Sequence, residues 1–306
     1  MIILGIGGIL NDAACAILKD GQLVAAVEER KMARRHARGD FPEHSIAACL
    51  KMAGAAADRV DCVVLARPFA EGPETAFHLD LRARFPNSRI AIVEHHAAHA
   101  ASAFFPSPFD EAAVLTLDRI GDFRCGARWY GAGTEIHLDK ELYYPDSLGD
   151  VYGRVTELLG FNSNAEEHKV QWLSTAGDDR YAAVFEEILK LDQEQWPRVN
   201  RSFFDANRVS QGGFSPRFYA ALDLEDGQSI PGNLRAHVAA GLQQAMERTV
   251  VRMAAGAKAV CLAGGLGMNA LLVAALERHY PVFVQPAAGN AGTGVGAVLH
   301  ACHAIY

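Results

Sequence analysis

Two histidines four residues apart, His95 and His99, open the alanine-rich stretch Glu94-His95-His96-Ala97-Ala98-His99-Ala100-Ala101. On a helix, positions i and i+4 share a face, so both imidazoles can offer nitrogen lone pairs to one divalent ion. An ordinary buried helix with a satisfied histidine would give the same letters, and the pair alone does not separate the two readings. Further along, the apolar run 112–117 delivers Asp118 into a turn, followed by Arg119-Ile120-Gly121. Gly264-Gly265 stands between a buried run and a helical one. That arrangement lets a backbone approach a ligand closely and leaves helix N-terminal amides free for an anion, although tight strand-to-helix packing also asks for it. Asn290-Ala291-Gly292-Thr293-Gly294 is a second start of this kind, and Asn290 suits an N-cap.

The elements that must position these groups follow from periodicity. Segments 2–7, 14–19 and 23–28 read as short strands, the last two joined by the turn signal Asp20-Gly21. A helix is expected over 43–55, a strand over 61–66, a helix near 75–84, a strand over 90–94, and then the histidine helix. The order begins again at 112, with strands near 112–117, 125–130 and 135–138 and helical segments at 149–159 and 181–190. An insertion rich in charge, Pro and Gly covers about 192–232, and a long helix follows over about 233–255. A strand at 259–263, a helix at 268–279, a strand at 282–284 and a closing helix from 291 complete the chain. Antiparallel strands that lead into α/β units, twice over, predict an α/β protein of two duplicated lobes, 1–108 and 109–306, with a central cleft. This is the actin and sugar-kinase-like (ASKHA) arrangement, whose cleft holds a nucleotide.

Composition bounds the rest. A chain of 306 residues, 50% hydrophobic and 21% charged, has the makeup of a globular protein large enough for two packed lobes. No apolar run reaches the roughly 20 residues that span a bilayer, and the first ten residues lack a signal-peptide pattern, so the expected location is the cytoplasm, with no membrane partner. A net charge of −7 argues against broad contact with nucleic acid. The six cysteines include no Cys-x-x-Cys pair and imply neither a disulfide framework nor a zinc finger. One basic segment, Arg30-Lys31-Met32-Ala33-Arg34-Arg35-His36-Ala37-Arg38, reads either as a solvated loop or as a lip facing an anion.

These motifs, with Gly5-Ile6-Gly7-Gly8 through Asn11-Asp12-Ala13-Ala14 and Val24-Ala25-Ala26-Val27-Glu28-Glu29-Arg30, resemble in order the amino-terminal domain of the O-carbamoyltransferases. That family includes nodulation-factor and antibiotic-tailoring enzymes and is similar to the tRNA threonylcarbamoyl transferases. The resemblance runs from about residue 2 to about residue 300. It implies a transferase that binds ATP or carbamoyladenylate through Gly264, Gly265, Asn269 and Gly292 and passes the carbamoyl group to a small-molecule hydroxyl. It also implies a metal site, iron or zinc, at His95 and His99.

Several positions depart from the family pattern. Asn290 stands where an aspartate usually completes the metal site, so metal affinity is expected to fall. Asn11 stands where a histidine usually precedes Asp12, and asparagine has no basic nitrogen; Asp12, Asp118 and His99 are the remaining candidates for a base. Arg119 replaces a glycine after Asp118. In the stretch Glu167-His168-Lys169-Val170-Gln171-Trp172, Lys169 is retained as a charge partner for phosphate or carbamoyl oxygen, against the reading of an ordinary surface lysine. Trp172 there replaces a glycine and adds bulk near the expected acceptor pocket. Family members usually continue into a YrdC-like domain that makes carbamoyladenylate, and this chain stops at Tyr306. A separate YrdC-like partner, a shortened chain or a lost activation step all fit. The rival readings are a non-catalytic nucleotide-binding or scaffold subunit, suggested by Asn11 and Asn290, and a kinase or ATPase of the same superfold.

Overall fold

A computed structural model of the protein describes residues 1–33 and 37–304. Arg34, Arg35 and His36 of the basic segment lie outside the described residues. Of its neighbours, Arg30 pairs with Asp12 (2.9 Å) and Glu28 (3.0 Å), and Arg38 pairs with Glu71 (2.5 Å).

The first sheet contains β1 (Ile2–Gly7), β2 (Ala14–Lys19), β3 (Gln22–Glu28), β4 (Cys62–Ala66) and β5 (Arg89–Val93), in the order β3-β2-β1-β4-β5. Strands β1 to β3 form an antiparallel meander, whereas β4 and β5 join in parallel. The second sheet contains β6 (Glu111–Gly121), β7 (Arg124–Ala132), β8 (Glu135–Tyr143), β9 (Val260–Ala263) and β10 (Val282–Val284), in the order β8-β7-β6-β9-β10. Strand for strand this repeats the first: a meander, then two parallel additions at the edge of its first strand. The duplicated actin and sugar-kinase-like architecture read from the order of elements is therefore present in the hydrogen-bond topology.

The helices are α1 (Glu29–Met32), α2 (Glu43–Ala53), α3 (Thr75–Arg84), α4 (His95–Phe104), α5 (Leu148–Leu158), α6 (Glu167–Ser174), α7 (Ala182–Ile188), α8 (Pro216–Ala221), α9 (Arg235–Met253), α10 (Ala270–Glu277) and α11 (Gly292–Ala304). Among the described residues, none is long and apolar enough to cross a membrane. Two helices cross between the halves. Helix α4 follows the first sheet in sequence but packs against β6, β7 and β9, while α11, the last element, packs on β1, β2 and β4 and against α4. Small residues make this crossing close: a Cβ on Gly296 of α11 would collide with the Ala98 carbonyl of α4. Val295, Ala297, Val298 and Ala301 are thereby buried among Ile3, Ala16, Cys62 and Val64 of the first sheet.

Residues 192–232, charged overall, are not a surface excursion. Trp196, Phe203, Phe214, Phe218 and Tyr219 from this stretch are buried in the same core as Leu115, Tyr152, Phe185 and Met246. All six cysteines are reduced, and five of them are buried.

Candidate metal centre and the adjoining glycine turn

Glu94 caps α4 by accepting the Ala97 amide (2.9 Å), which fixes the first turn of the helix and the direction in which His95 and His99 leave it. Opposite them, β6 carries Asp118 out of the second sheet. The Nε2 atoms of His95 and His99 lie 2.9 and 3.0 Å from the same Asp118 oxygen, Oδ2. The other oxygen, Oδ1, accepts the Gly265 amide at 2.6 Å. All three side chains are buried. One carboxylate thus joins the histidine helix to the glycine turn.

Tautomers decide what this geometry can hold. His95 Nδ1 faces the Arg67 carbonyl at 3.0 Å, an acceptor, so Nδ1 must carry a hydrogen. In neutral imidazole the lone pair is then on Nε2, aimed at a carboxylate oxygen that only accepts. Lone pairs converging on one point require a cation, either a proton or a metal ion. The donor atoms of His95, His99 and Asp118 all lie within 4.8 Å of one another, and two imidazoles with one carboxylate form a set that suits iron or zinc. His99 Nδ1 is buried with no hydrogen-bond partner.

Without a metal the charges divide unevenly. Burial opposes ionisation of Asp118, but the two imidazoles hold it well below the usual carboxylate range. Burial likewise works against a charged His95, yet the Asp118 hydrogen bond and charge outweigh it and raise its pKa. Burial prevails at His99, whose pKa falls, so His95 takes the proton and His99 remains neutral. His96 is pushed down to about 3 by burial and by His95. Its Nδ1 meets Thr116 Oγ1 (3.0 Å), which also accepts Trp129 Nε1 (3.1 Å), so His96 fixes α4 to the second sheet.

Gly121, which sequence reasoning passed over as a turn residue, is part of this centre. The His95 ring packs against it, and a Cβ there would stand 2.7 Å from Nε2 and 2.9 Å from Cγ. One residue further, Asp122 binds Arg67 Nε at 2.9 Å, so the tip of the β6–β7 hairpin braces the residue whose carbonyl orients His95.

The other expected site residues fall into separate groups. Gly264 has φ +90°, a conformation open to glycine and costly for others, and its amide donates to the Ala288 carbonyl (2.7 Å), so the glycine turn runs beside the loop that leads to Asn290. Gly292 closes that loop by donating to the Gly289 carbonyl (2.9 Å). Asn290 and Asp12 flank Gly8: a Cβ there would meet the Asp12 carbonyl and stand 3.0 Å from the Asn290 carbonyl. Asn269 caps α10 by accepting the Leu272 amide (3.0 Å) and exchanges two hydrogen bonds with Gln243 (2.9 and 3.1 Å). Lys169 forms an ion pair with Glu166 and lies over the Phe161 ring (5.7 Å). Trp172 projects from α6 with 80% of its surface exposed.

The chain matches a family model described as carbamoyltransferase N-terminus over residues 71–299. It is 31% identical to an uncharacterised protein of Synechocystis sp., over 98% of this chain and 57% of that protein. It is 29% identical to the nodulation protein NolNO of Sinorhizobium fredii, over 95% of this chain and 46% of that protein. The chain therefore spans about half the length of the curated relatives it matches. Among solved structures, T. kodakarensis HypF is similar in fold, with a TM-score of 0.59 and 16% identity, covering 99% of this chain and 47% of that one.

Proposed function

Because the chain belongs to the carbamoyltransferase N-terminus family, we propose that it binds a carbamoyladenylate and transfers the carbamoyl group to a hydroxyl of a small molecule. The observation that carries this reading is the meeting of His95, His99, Asp118 and the Gly265 amide at one buried point.

His95, His99 and Asp118 would hold a divalent ion, which when bound supplies Lewis-acid polarisation of a carbonyl or phosphoryl oxygen. The Arg67 carbonyl keeps His95 in the tautomer that presents Nε2. Gly264 and Gly265 bring backbone close to the nucleotide, and Asn269 holds the start of α10 beside them. Asp118, with both oxygens engaged and its pKa driven down, is a poor base, and His99 faces Asp118 through Nε2. Asp12 is the remaining carboxylate, a third exposed and paired with Arg30, and we assign to it the proton of the acceptor hydroxyl.

The test is to incubate purified protein with ATP, carbamoyl phosphate and a YrdC-like domain, then follow AMP release and a carbamoylated hydroxyl product. Binding of adenylate without any AMP release under metal-replete conditions would overturn the transfer step. Failure to bind adenosine nucleotides at all would overturn the reading as a whole.

A further inference from the structure

The backbone of the glycine turn is held by three buried side chains, one each from α5, α9 and the start of α10. Gly265–Met268 form a single turn of 3₁₀ helix, and Asn269 both ends that turn and caps α10. Asn269 Oδ1 accepts the Leu272 amide (3.0 Å), while its backbone amide donates to the Leu266 carbonyl (3.1 Å). Gln243 of α9 meets it with a reciprocal pair of bonds. Gln243 Nε2 donates to Asn269 Oδ1 (3.1 Å), and Asn269 Nδ2 donates to Gln243 Oε1 (2.9 Å). The Tyr152 hydroxyl, from α5, donates to the same Gln243 oxygen at 3.0 Å. Tyr152, Gln243 and Asn269 are all buried.

The direction of each amide is dictated by its neighbours. Gln243 Nε2 also donates to Glu247 Oε1 (2.9 Å), and a carboxylate only accepts, so the nitrogen must point that way. The Gln243 oxygen is thereby left for Tyr152 and Asn269, and Asn269 must turn Oδ1 toward the Leu272 amide. Reversing either amide would set donor against donor. A buried polar network satisfied in one arrangement rigidifies the backbone it holds.

Helix α5 ties this lock to the strand end that carries Asp118. Ser147 Oγ donates to the Arg119 carbonyl (2.7 Å) and lies 3.3 Å from the Asp118 carbonyl, and a Cβ on Gly149 would collide with the Asp118 backbone. The other end of the glycine turn is fixed on the same strand, by the Gly265 amide on Asp118 Oδ1 and by Gly264, where a Cβ would collide with the Leu117 backbone. At the start of α10 the Ala270 amide is taken by Gln171 Oε1 (3.2 Å) and the Leu272 amide by Asn269. What the turn offers a ligand is therefore the shape of its backbone. We propose that Gln243, seated by Tyr152, is a positioning residue for nucleotide binding: acting through Asn269, it holds the Gly264–Gly265 turn in the form that receives the adenosine moiety. This rests on the nucleotide reading proposed above.

The experiment is calorimetric titration of the protein with adenosine, at a temperature where circular dichroism shows each variant folded. Wild type is compared with Gln243→Met, Tyr152→Phe, Asn269→Ala, the Gln243→Met/Asn269→Ala double variant and Val250→Ala. Methionine keeps the length of the side chain and removes its hydrogen bonds. Tyr152→Phe removes one hydroxyl from the same lock and carries the test if Gln243→Met does not fold. Adenosine binding weakens roughly 10-fold in Gln243→Met and less in Tyr152→Phe. Val250→Ala, which opens a cavity at a buried position of the same helix, loses stability but binds as wild type does. The double variant binds no more weakly than Asn269→Ala, because Gln243 acts through Asn269. Losses that add in the double variant, an equal loss in Val250→Ala, or equal binding by wild type, Gln243→Met and Tyr152→Phe each overturn the assignment and leave the nucleotide reading standing. Failure of wild type to bind adenosine overturns both.

Discussion

Replacing Gly121 by alanine isolates the support of His95 from its chemistry, because it touches no candidate ligand atom by substitution. The backbone there is held by pairing of Gly121 with Arg124 across the hairpin, and its φ is not in the left-handed region, so alanine adds volume without backbone strain. The added methyl would stand 2.7 Å from His95 Nε2 and 2.9 Å from Cγ, inside van der Waals contact. The ring must rotate, giving up both the Arg67 carbonyl and Asp118. Overpacking of this kind costs about 1–3 kcal/mol, and leaving a buried polar group without its partner costs about 1–3 kcal/mol more. A loss of about 2–6 kcal/mol corresponds to a fall in Tm of roughly 3–9 °C for a protein of this size. The assay is scanning calorimetry beside metal content after chelation and reloading with iron or zinc. Gly72→Ala is the control, since a Cβ there meets nothing within 4 Å. If Gly121→Ala melts with wild type and reloads to the same stoichiometry, the packing argument for the centre is wrong.

Four other outcomes are expected. His99→Ala should abolish stoichiometric metal uptake measured by elemental analysis while leaving the far-ultraviolet dichroism spectrum unchanged; full occupancy in that variant would remove His99 from the ligand set. Metal affinity should fall with acidity from above the ordinary histidine range, because the raised pKa of His95 lets protons compete early for Nε2; a competition titration showing no change between pH 8 and 5.5 would contradict this. Glu29 is buried, which opposes its charge, yet the Ser45 amide (2.7 Å) and the His44 amide and ring hold its pKa below the carboxylate norm. Its contribution to stability is therefore complete above the unfolded value of about 4.3 and lost as pH falls through the lower folded value, so urea midpoints of Glu29→Gln should show a weaker acid dependence than wild type. Asn269→Ala should destabilise by about 2–4 kcal/mol in urea unfolding, through loss of the α10 cap and desertion of buried Gln243; a neutral result would show that the asparagine is not the structural joint described above.

The sequence made some of this legible and hid the rest for identifiable reasons. Short strands separated by Asp20-Gly21 and similar turns set the meander of each sheet, because alternation and turn chemistry are local. The His95/His99 pair was visible for the same reason, since helical spacing is read from four letters. That both imidazoles meet Asp118 was not visible: the contact joins residues 19 and 23 positions apart through packing of α4 on the second sheet. Gly121 looked like any turn glycine until His95 was placed on it. Helix α6 and the buried aromatic residues within 192–232 were obscured by charged neighbours, although Phe203, Phe214 and Phe218 in a stretch of that length were a signal of core that could have been weighed. Asn269, read for ligand chemistry, also caps α10 and exchanges hydrogen bonds with Gln243, a long-range pairing that no local pattern announces.

The exchange of helices between the two sheets explains why the centre lies where it does. A helix that stays with its own sheet can bring only its own half's side chains to a site, whereas α4 carries His95 and His99 from the end of the first half onto β6 of the second. Arg67, at the end of β4, orients His95 through its carbonyl and is itself bound by Asp122 from the β6–β7 hairpin. Histidine, carboxylate and orienting carbonyl are thus supplied from both sides of the duplication, and α11 returns to lock the crossing with Gly296 against Ala98 of α4. A rigid-body separation of the two sheets would break the His95–Arg67 contact, the Arg67–Asp122 ion pair or the packing of α4 on the second sheet, all of them buried or half-buried. Motions that admit a ligand without breaking these contacts must therefore leave this seam closed.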